Sequence, residues 1–122
     1  MMKFKRLYTS NFGESSSLIT LTFDPNLMPH IHNINICKHH VKNFVKRLRR
    51  RYDALKYLGV FEFQDQNNSG AIHCHMVINV SDILHEELQA LWPLGFTWIE
   101  HIDNNLESIN RIACYLTKGL ND

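Results

Sequence analysis

The stretch AIHCHMVINV, residues 71–80, places two histidines one residue apart inside an apolar run. Side chains alternate along a β-strand, so His73 and His75 share one face. The other face carries only apolar side chains: Ile72, Cys74, Met76 and Ile78. We expect the apolar face to cover the core. The histidines then form a pair on the opposite face, roughly 7 Å apart along the strand, which is near enough for one ion to bind both.

A second β-type run, YLGVFEFQ over 57–64, precedes this stretch and is joined to it by the turn-rich sequence DQNNSG. The two runs predict a β-hairpin. If the turn is centred on its Asn-Ser pair, Gln64 lies opposite His73 and Glu62 lies opposite His75. Glu62 would then share the face of the histidines.

This hairpin would turn Phe61 and Phe63 toward the core and group one carboxylate with two imidazoles. Such a three-ligand set suits Mg²⁺, Mn²⁺ or Zn²⁺, and the sequence does not choose between them. The alternative is a pair of histidines that merely covers a solvated sheet face. A second H-x-H, at His30 and His32, lies in a loop bounded by prolines without strand alternation and is interpreted as loop.

The remaining segments alternate between the two kinds of periodicity. Strands are predicted over 3–9, 18–24 and 95–102, and helices from about 36, over 81–92 with Ser81 or Asp82 as cap, and after Asn104 or Asn105. The order ββαββαβα predicts an α+β sandwich, with an antiparallel sheet of about five strands and helices packed on it. We find no repeat or linker and expect a single domain over 1–122.

The first predicted helix combines an apolar stripe with positive charge. Its stripe follows helical spacing: Val41, Phe44, Val45, Leu48, Tyr52 and Leu55. Residues 38–56 hold eight of the 13 basic residues and one acid, although the net charge of the chain is only +1. Such a stripe favours a polyanionic partner. Candidate phosphate contacts are Lys46, Arg47, Arg50 and Arg51, and the alternative for each is a solvated charged face.

Composition limits the other classes of function. The chain has 122 residues, of which 44% are hydrophobic, and contains no apolar run of the ~20 residues that a membrane span needs. The first residues lack the apolar segment of a secretory signal. Cys37, Cys74 and Cys114 show no paired metal spacing. We therefore expect no membrane partner and a reducing, cytoplasmic location.

Tyr115 falls at the margin of the apolar stripe of the last predicted helix. Lys118 follows it by three residues and Arg111 precedes it by four, so both cations neighbour the phenol. Such a tyrosine commonly closes a core and keeps its hydroxyl in water. The alternative is a nucleophile, which needs an exposed hydroxyl, nearby positive charge and a metal site within reach.

LITLTFD, then FEF and HCHM, then YLTK resemble, in that order, the three motifs of HUH-superfamily rolling-circle replication initiators, the Rep endonucleases of phage and plasmid type with a single catalytic tyrosine. The resemblance covers nearly the whole chain and implies a ferredoxin-like or RRM-like endonuclease fold. It also implies that His73, His75 and Glu62 bind the metal, that Tyr115 is the nucleophile and that Lys118 assists it. The tyrosine follows the histidines, as in Reps and single-tyrosine transposases and unlike relaxases.

The resemblance implies site-specific nicking and joining of single-stranded DNA at a replication origin, through a 5′-phosphotyrosine intermediate and a free 3′-OH. Implied partners are an origin hairpin and a helicase, in cis or from the bacterial host, with the chain a monomer or weak dimer. Arg111 joins the candidate DNA contacts, as do Thr20 and Thr22. Trp92 and Trp98 are expected in the core, with base stacking as the alternative.

Three other functions stay open. The first is a single-tyrosine transposase of the same superfamily, which would apply the same chemistry to hairpin ends. The second is a single-stranded DNA-binding module without cleavage activity. The third is a metal-dependent hydrolase that uses water and leaves Tyr115 idle.

Overall fold

A computed structural model describes residues 15–63, 71–103 and 110. Its elements, in chain order, are β1 (Ser15–Leu21), α1 (Ile34–Arg51), β2 (Tyr57–Phe63), β3 (Ile72–Ile78), α2 (His85–Leu91) and β4 (Thr97–Asp103). Asn110 is helical. The strand predicted over 3–9 and the rest of the helix predicted after residue 104 lie outside the described residues.

The four strands form one sheet in the order β2-β3-β1-β4, and every neighbouring pair is antiparallel. β1 and β2 are therefore parallel to each other with β3 between them, and β3 and β4 are parallel with β1 between them. This is the split β-α-β arrangement of ferredoxin-like domains. The predicted α+β fold is confirmed, with four strands rather than five in the part of the chain that the structure describes.

Both helices pack on one face of this sheet. The core joins the inward side chains of β1 and β3 to the apolar stripe of α1 and to Leu88 and Leu91 of α2. Trp92 is fully buried, and its ring meets Phe23 and Phe44 edge-on at centroid distances of 5.1 and 5.8 Å. The prediction that Trp92 packs in the core is confirmed.

The β2–β3 hairpin has a different register from the predicted one. Glu62 pairs with His73, and Val60, not Glu62, pairs with His75. The turn-rich connection tolerates more than one centre, and the observed shift is two residues. A shift of two preserves side-chain parity, so Glu62 still shares the histidine face.

Three local predictions are wrong. Phe63 is 56% exposed rather than in the core, because it is the last residue of a strand at the sheet edge. β1 begins and ends three residues before the strand predicted over 18–24. Helix α2 begins at His85 with Leu84 at its cap position and no side-chain cap hydrogen bond, so neither Ser81 nor Asp82 caps it.

The N-terminus of α1 is capped by Asn33, whose side chain accepts hydrogen bonds from the backbone N–H groups of Asn35 and Ile36. At its other end the basic residues Arg49, Arg50 and Arg51 lie in the last turn, where they complement the helix dipole. Neither helix of the described residues is long and apolar enough to cross a membrane.

Candidate functional site

The candidate site lies on the sheet face opposite the two helices. Cross-strand pairing places one residue from each strand in a single row, in the order Val60, His75, Thr20, Trp98. Glu62 and His73 pair in the next row. The sheet alone therefore brings Glu62, His73, His75 and Thr20 together, because their strands are neighbours and their positions share parity.

His75 forms a hydrogen bond through each of its ring nitrogens. Its Nε2 lies 3.0 Å from Oε1 of Glu62, and its Nδ1 lies 3.1 Å from Oγ1 of Thr20. A carboxylate only accepts hydrogen bonds, so Nε2 carries the proton in this arrangement and Nδ1 accepts from the Thr20 hydroxyl. The imidazole of His75 is thus fixed in orientation from two sides.

Burial lowers the pKa of both histidines. For His73, burial is the larger cause of the lowered pKa and the neighbouring His75 adds to it, whereas the charge of Glu62 opposes it. For His75, burial outweighs the hydrogen bond and the charge of Glu62, which raise its pKa. Both imidazoles are therefore neutral at neutral pH, which is the form that binds metal ions.

No three His, Cys, Asp or Glu side chains among the described residues stand in a preformed metal-binding arrangement. The rings of His73 and His75 are 6.5 Å apart. The donor types nevertheless fit a divalent ion, and the Glu62–His75 separation of 3.0 Å matches two ligands at right angles, each ~2.1 Å from one ion. A hydrogen bond to the second nitrogen of a histidine, as Thr20 supplies, is the usual support of a metal ligand.

Farther along the same face the side chains become apolar. Leu18, Val77 and Ile102 are buried there, as is Val60 beside His75. His75 itself is only 2% exposed, whereas Glu62 is 20% exposed. The site therefore has a dry side and a side open to solvent, which explains why burial dominates the pKa of the histidines.

Tyr115, Lys118 and Arg111 lie outside the described residues, so their roles stay predictions. Two of the four tyrosines of the chain are described. The Tyr52 hydroxyl donates to Glu87 at 2.8 Å, and burial together with that bond raises its pKa to about 12. Tyr57 lines a cavity of about 270 Å³ against α1, and Arg49 lies 5.5 Å from its ring centre. Neither phenol is on the histidine face.

The basic helix α1 packs on the sheet face opposite the histidines. Two of its predicted DNA contacts bind within the protein. Arg47 donates to the Leu91 carbonyl through Nε and Nη2, at 3.0 and 2.9 Å, and Arg51 forms an ion pair with Glu87 at 2.8 Å. Lys46 and Arg50 are exposed. Phosphate binding by these four residues stays a prediction.

Sequence reasoning misses two features of this face. The sequence offers Thr20 as a candidate DNA contact, and its hydrogen bond to His75 becomes visible only with the β1–β3 register. Trp98 is predicted in the core but is 58% exposed, and Phe96 beside it is 69% exposed. The alternation of FTWIEHI contains that signal, because Phe96 and Trp98 share parity and Ile99 takes the other face.

Comparisons with known proteins agree with the fold. The family described as Replication-associated protein ORF2 matches residues 16–120. Among solved structures, the crystal structure of the hypothetical protein ORF119 from Sulfolobus islandicus rod-shaped virus 1 superposes with a TM-score of 0.62 at 14% identity, covering 98% of this chain and 92% of that one. At that identity the likeness concerns the fold alone. No curated protein matches.

Proposed function

Because the chain belongs to the Replication-associated protein ORF2 family, we propose that it nicks and rejoins single-stranded DNA at a replication origin by tyrosine transesterification. Family membership assigns the chain to replication-associated proteins. The nicking chemistry, its metal dependence and its single-stranded substrate are the proposal. One observation supports it more than any other, namely the Glu62–His75–Thr20 hydrogen-bond chain on the sheet face opposite α1 and α2.

That chain of contacts supports a divalent metal site made by Glu62, His75 and His73. A bound Mg²⁺ or Mn²⁺ would polarise a phosphodiester and offset the charge that develops on it. Thr20 suits this role because a hydroxyl both donates and accepts. It donates to Nδ1 of His75 while Nε2 keeps its proton, and it would accept from Nδ1–H if Nε2 gave up its proton to bind a metal.

The nucleophile that we propose is Tyr115. Both described tyrosines face away from the candidate site, and the raised pKa of Tyr52 makes its phenol harder to ionise. In the reaction the Tyr115 oxygen bonds to phosphorus as the bond from phosphorus to the 3′ oxygen breaks. The phenol loses its proton, and the leaving 3′ oxygen gains one. Lys118 would hold the phosphate or favour the phenolate.

The product of this step is a 5′-phosphotyrosine and a free 3′-OH. The new ester conserves the energy of the broken bond, so attack by a 3′-OH reverses the step and joins two DNA ends without another energy source. A chain that nicks and later joins in this way would start replication and close its circular product. This reversibility distinguishes transesterification from hydrolysis by water.

Contacts to DNA phosphates beyond the site would come from α1. Lys46 and Arg50 are exposed on this helix, which lies across the sheet from Glu62 and His75. A bound strand must therefore pass around an edge of the sheet to reach both. Lys38 and Lys42 line the cavity between α1 and the edge strand β2, and they add to the positive charge on the α1 side of the sheet.

The test uses labelled single strands with a randomised segment, incubated with the protein and Mn²⁺ and separated under denaturing conditions. We expect a protein–DNA adduct that disappears in Tyr115→Phe and in His75→Ala. If the protein is instead a transposase that acts on hairpin ends, the cleaved strands should be enriched in sequences that lie beside a hairpin. Cleavage that persists in Tyr115→Phe without an adduct would establish a hydrolase, and binding without cleavage in any metal would establish an inert module. Either result would overturn the proposal.

A further inference from the structure

Two large aromatic side chains are exposed side by side at the edge strand β4. Phe96 is 69% exposed and Trp98 is 58% exposed. Their ring centres are 6.3 Å apart and the rings are inclined by 50°. Large aromatic side chains that are exposed next to each other indicate a binding surface, because their burial by a partner would be favourable.

The pair lies on the same face as the candidate site. Trp98 pairs with Thr20, and Thr20 pairs with His75, so Trp98 is two strands from His75 at a distance of about 10 Å. Phe96 continues the next row, where its backbone N–H donates to Thr22 Oγ1 at 2.8 Å. At a stacked rise of ~3.4 Å per nucleotide, about three nucleotides of a strand span that distance.

A groove on this face runs beside Trp98 and reaches Thr20. Its volume is about 350 Å³, and it is lined by Leu18, Thr20, Trp98, Ile99 and Glu100. Thr20 belongs to both features, because the residue that lines the groove also binds His75. The groove is thus continuous with the site through one side chain.

The residues that line the groove indicate whether it binds the base or the phosphate of a nucleotide. The described lining residues include no lysine or arginine to attract a phosphate, and the carboxylate of Glu100 would repel one; the rest of the lining is apolar apart from one hydroxyl. A nucleobase has an apolar face for stacking and edge groups for polar contacts, and aromatic side chains bind single strands in this way. A base fits this chemistry better than the backbone does.

We propose that Trp98, supported by Phe96, stacks an unpaired base of the DNA strand within about three nucleotides of the phosphate that a metal ion bound by Glu62 and His75 would hold. The inference rests on the proposed function, and it adds a positioning surface to that site. The stacked base would hold the strand across β1, so the aromatic pair would contribute to affinity and to the place of the cut.

The test measures binding without cleavage. A fluorophore-labelled dT oligonucleotide is titrated in metal-free buffer with EDTA against the wild type, Trp98→Ala, Trp98→Phe and Phe63→Ala. Phe63 is the matched control, because it is an aromatic residue exposed to 56% that points to the other sheet face. Far-ultraviolet circular dichroism and urea unfolding check that each variant is folded.

We expect Trp98→Ala to bind dT about 5- to 150-fold more weakly, which corresponds to the loss of one stacked base. Trp98→Phe should keep most of the affinity, and Phe63→Ala should match the wild type. Tryptophan fluorescence should be quenched by dT in the wild type and not in Trp98→Ala, since the other tryptophan, Trp92, is fully buried.

Unchanged affinity in a folded Trp98→Ala would overturn the proposal, as would an equal loss in Phe63→Ala. If Trp98→Ala alters only the sedimentation of the protein and not its DNA affinity, the aromatic pair is a contact between copies of the chain, and the proposal fails. If dT quenches the tryptophan fluorescence of the wild type but no covalent adduct forms with Mn²⁺, the nicking chemistry is refuted and the stacking surface is not. Failure of the proposed function is therefore distinguishable from failure of the stacking proposal.

Discussion

Oγ1 of Thr20 lies 3.1 Å from Nδ1 of His75, across the β1–β3 pairing. The contact links the strand that resembles the first motif of Rep endonucleases with the strand that carries the two histidines. The hydrogen bond thus joins Thr20, a threonine of LITLTFD that carries no charge, to the candidate site. The hydroxyl holds the imidazole whose other nitrogen meets Glu62.

Thr20→Val removes this hydroxyl while keeping the shape of the side chain. We expect Mn²⁺ affinity, measured by isothermal titration calorimetry, to fall about 10-fold or more, as it does when the outer partner of a ligating histidine is lost. Thr20→Ser keeps the hydroxyl and should restore most of the affinity. If Thr20→Val binds Mn²⁺ as the wild type does, the hydrogen bond does not orient a metal ligand.

Glu62→Gln should also weaken Mn²⁺ binding, because a neutral amide replaces the carboxylate that supplies charge to the ion. The control is Glu100→Gln, which alters a carboxylate on the same sheet face in the row of Leu18, two strands from the histidines. Glu100→Gln should bind Mn²⁺ like the wild type. Equal losses in both variants would indicate a general effect of charge and no site at Glu62.

Substitution of Arg47 should lower the stability of the protein, whereas substitution of its exposed neighbours should not. Arg47→Ala removes two hydrogen bonds from a cation to the Leu91 carbonyl and should lower the free energy of unfolding by about 1.5–3 kcal/mol. Lys46→Ala and Arg50→Ala should change it by less than about 0.5 kcal/mol. Urea unfolding measures both, and equal losses in all three variants would contradict this assignment.

Lys46 and Arg50 should instead contribute to the binding of single-stranded DNA. Lys46→Ala or Arg50→Ala should weaken binding across sequences and reduce the slope of log affinity against log salt by about 0.7 for each lost phosphate contact, the value for single strands. An unchanged salt dependence in both variants would show that α1 presents only a solvated charged face. Fluorescence anisotropy at several salt concentrations supplies this measurement.

Gly95 precedes the aromatic pair, and its backbone packs so closely against the backbone of Thr22 that no side chain fits there. A Cβ atom there would lie 2.1 Å from the Thr22 carbonyl oxygen, whereas a Cβ at Gly59 would meet its nearest atoms at 3.4 Å. Gly95→Ala should therefore destabilise the protein by at least about 1–3 kcal/mol, the usual cost of overpacking. Gly59→Ala should cost much less. Similar melting temperatures for the two variants would contradict this contact.

Periodic signals in the sequence predict most of the fold. Ile19 and Leu21 alternate along β1, and Val41 and Leu48 recur at helical spacing along α1, and all four are buried as expected. Alternation also places Glu62 on the histidine face, since face depends only on parity. The predicted register of that hairpin is wrong. The register depends on which residues form the centre of the turn, and the sequence DQNNSG does not strongly favour one centre.

Features that depend on neighbours distant in sequence could not be predicted. The Thr20–His75 bond joins residues 55 positions apart, and Arg47 finds Leu91 across the α1–α2 packing. Trp98 shows a different limit, because a large apolar residue is expected inside unless function keeps it at the surface. Charge patterning locates the basic helix and does not reveal which sheet face it covers.

The identity of the residue that becomes bonded to DNA decides whether the proposed chemistry is right. Wild-type protein is incubated with Mn²⁺ and single-stranded DNA, digested with protease and nuclease, and mapped by tandem mass spectrometry. We predict a nucleotide attached through a phosphate to Tyr115, and no attachment in His75→Ala. A nucleotide on Tyr52 or Tyr57, which face away from Glu62 and His75, or nicked DNA with no modified peptide, would refute the transesterification at Tyr115.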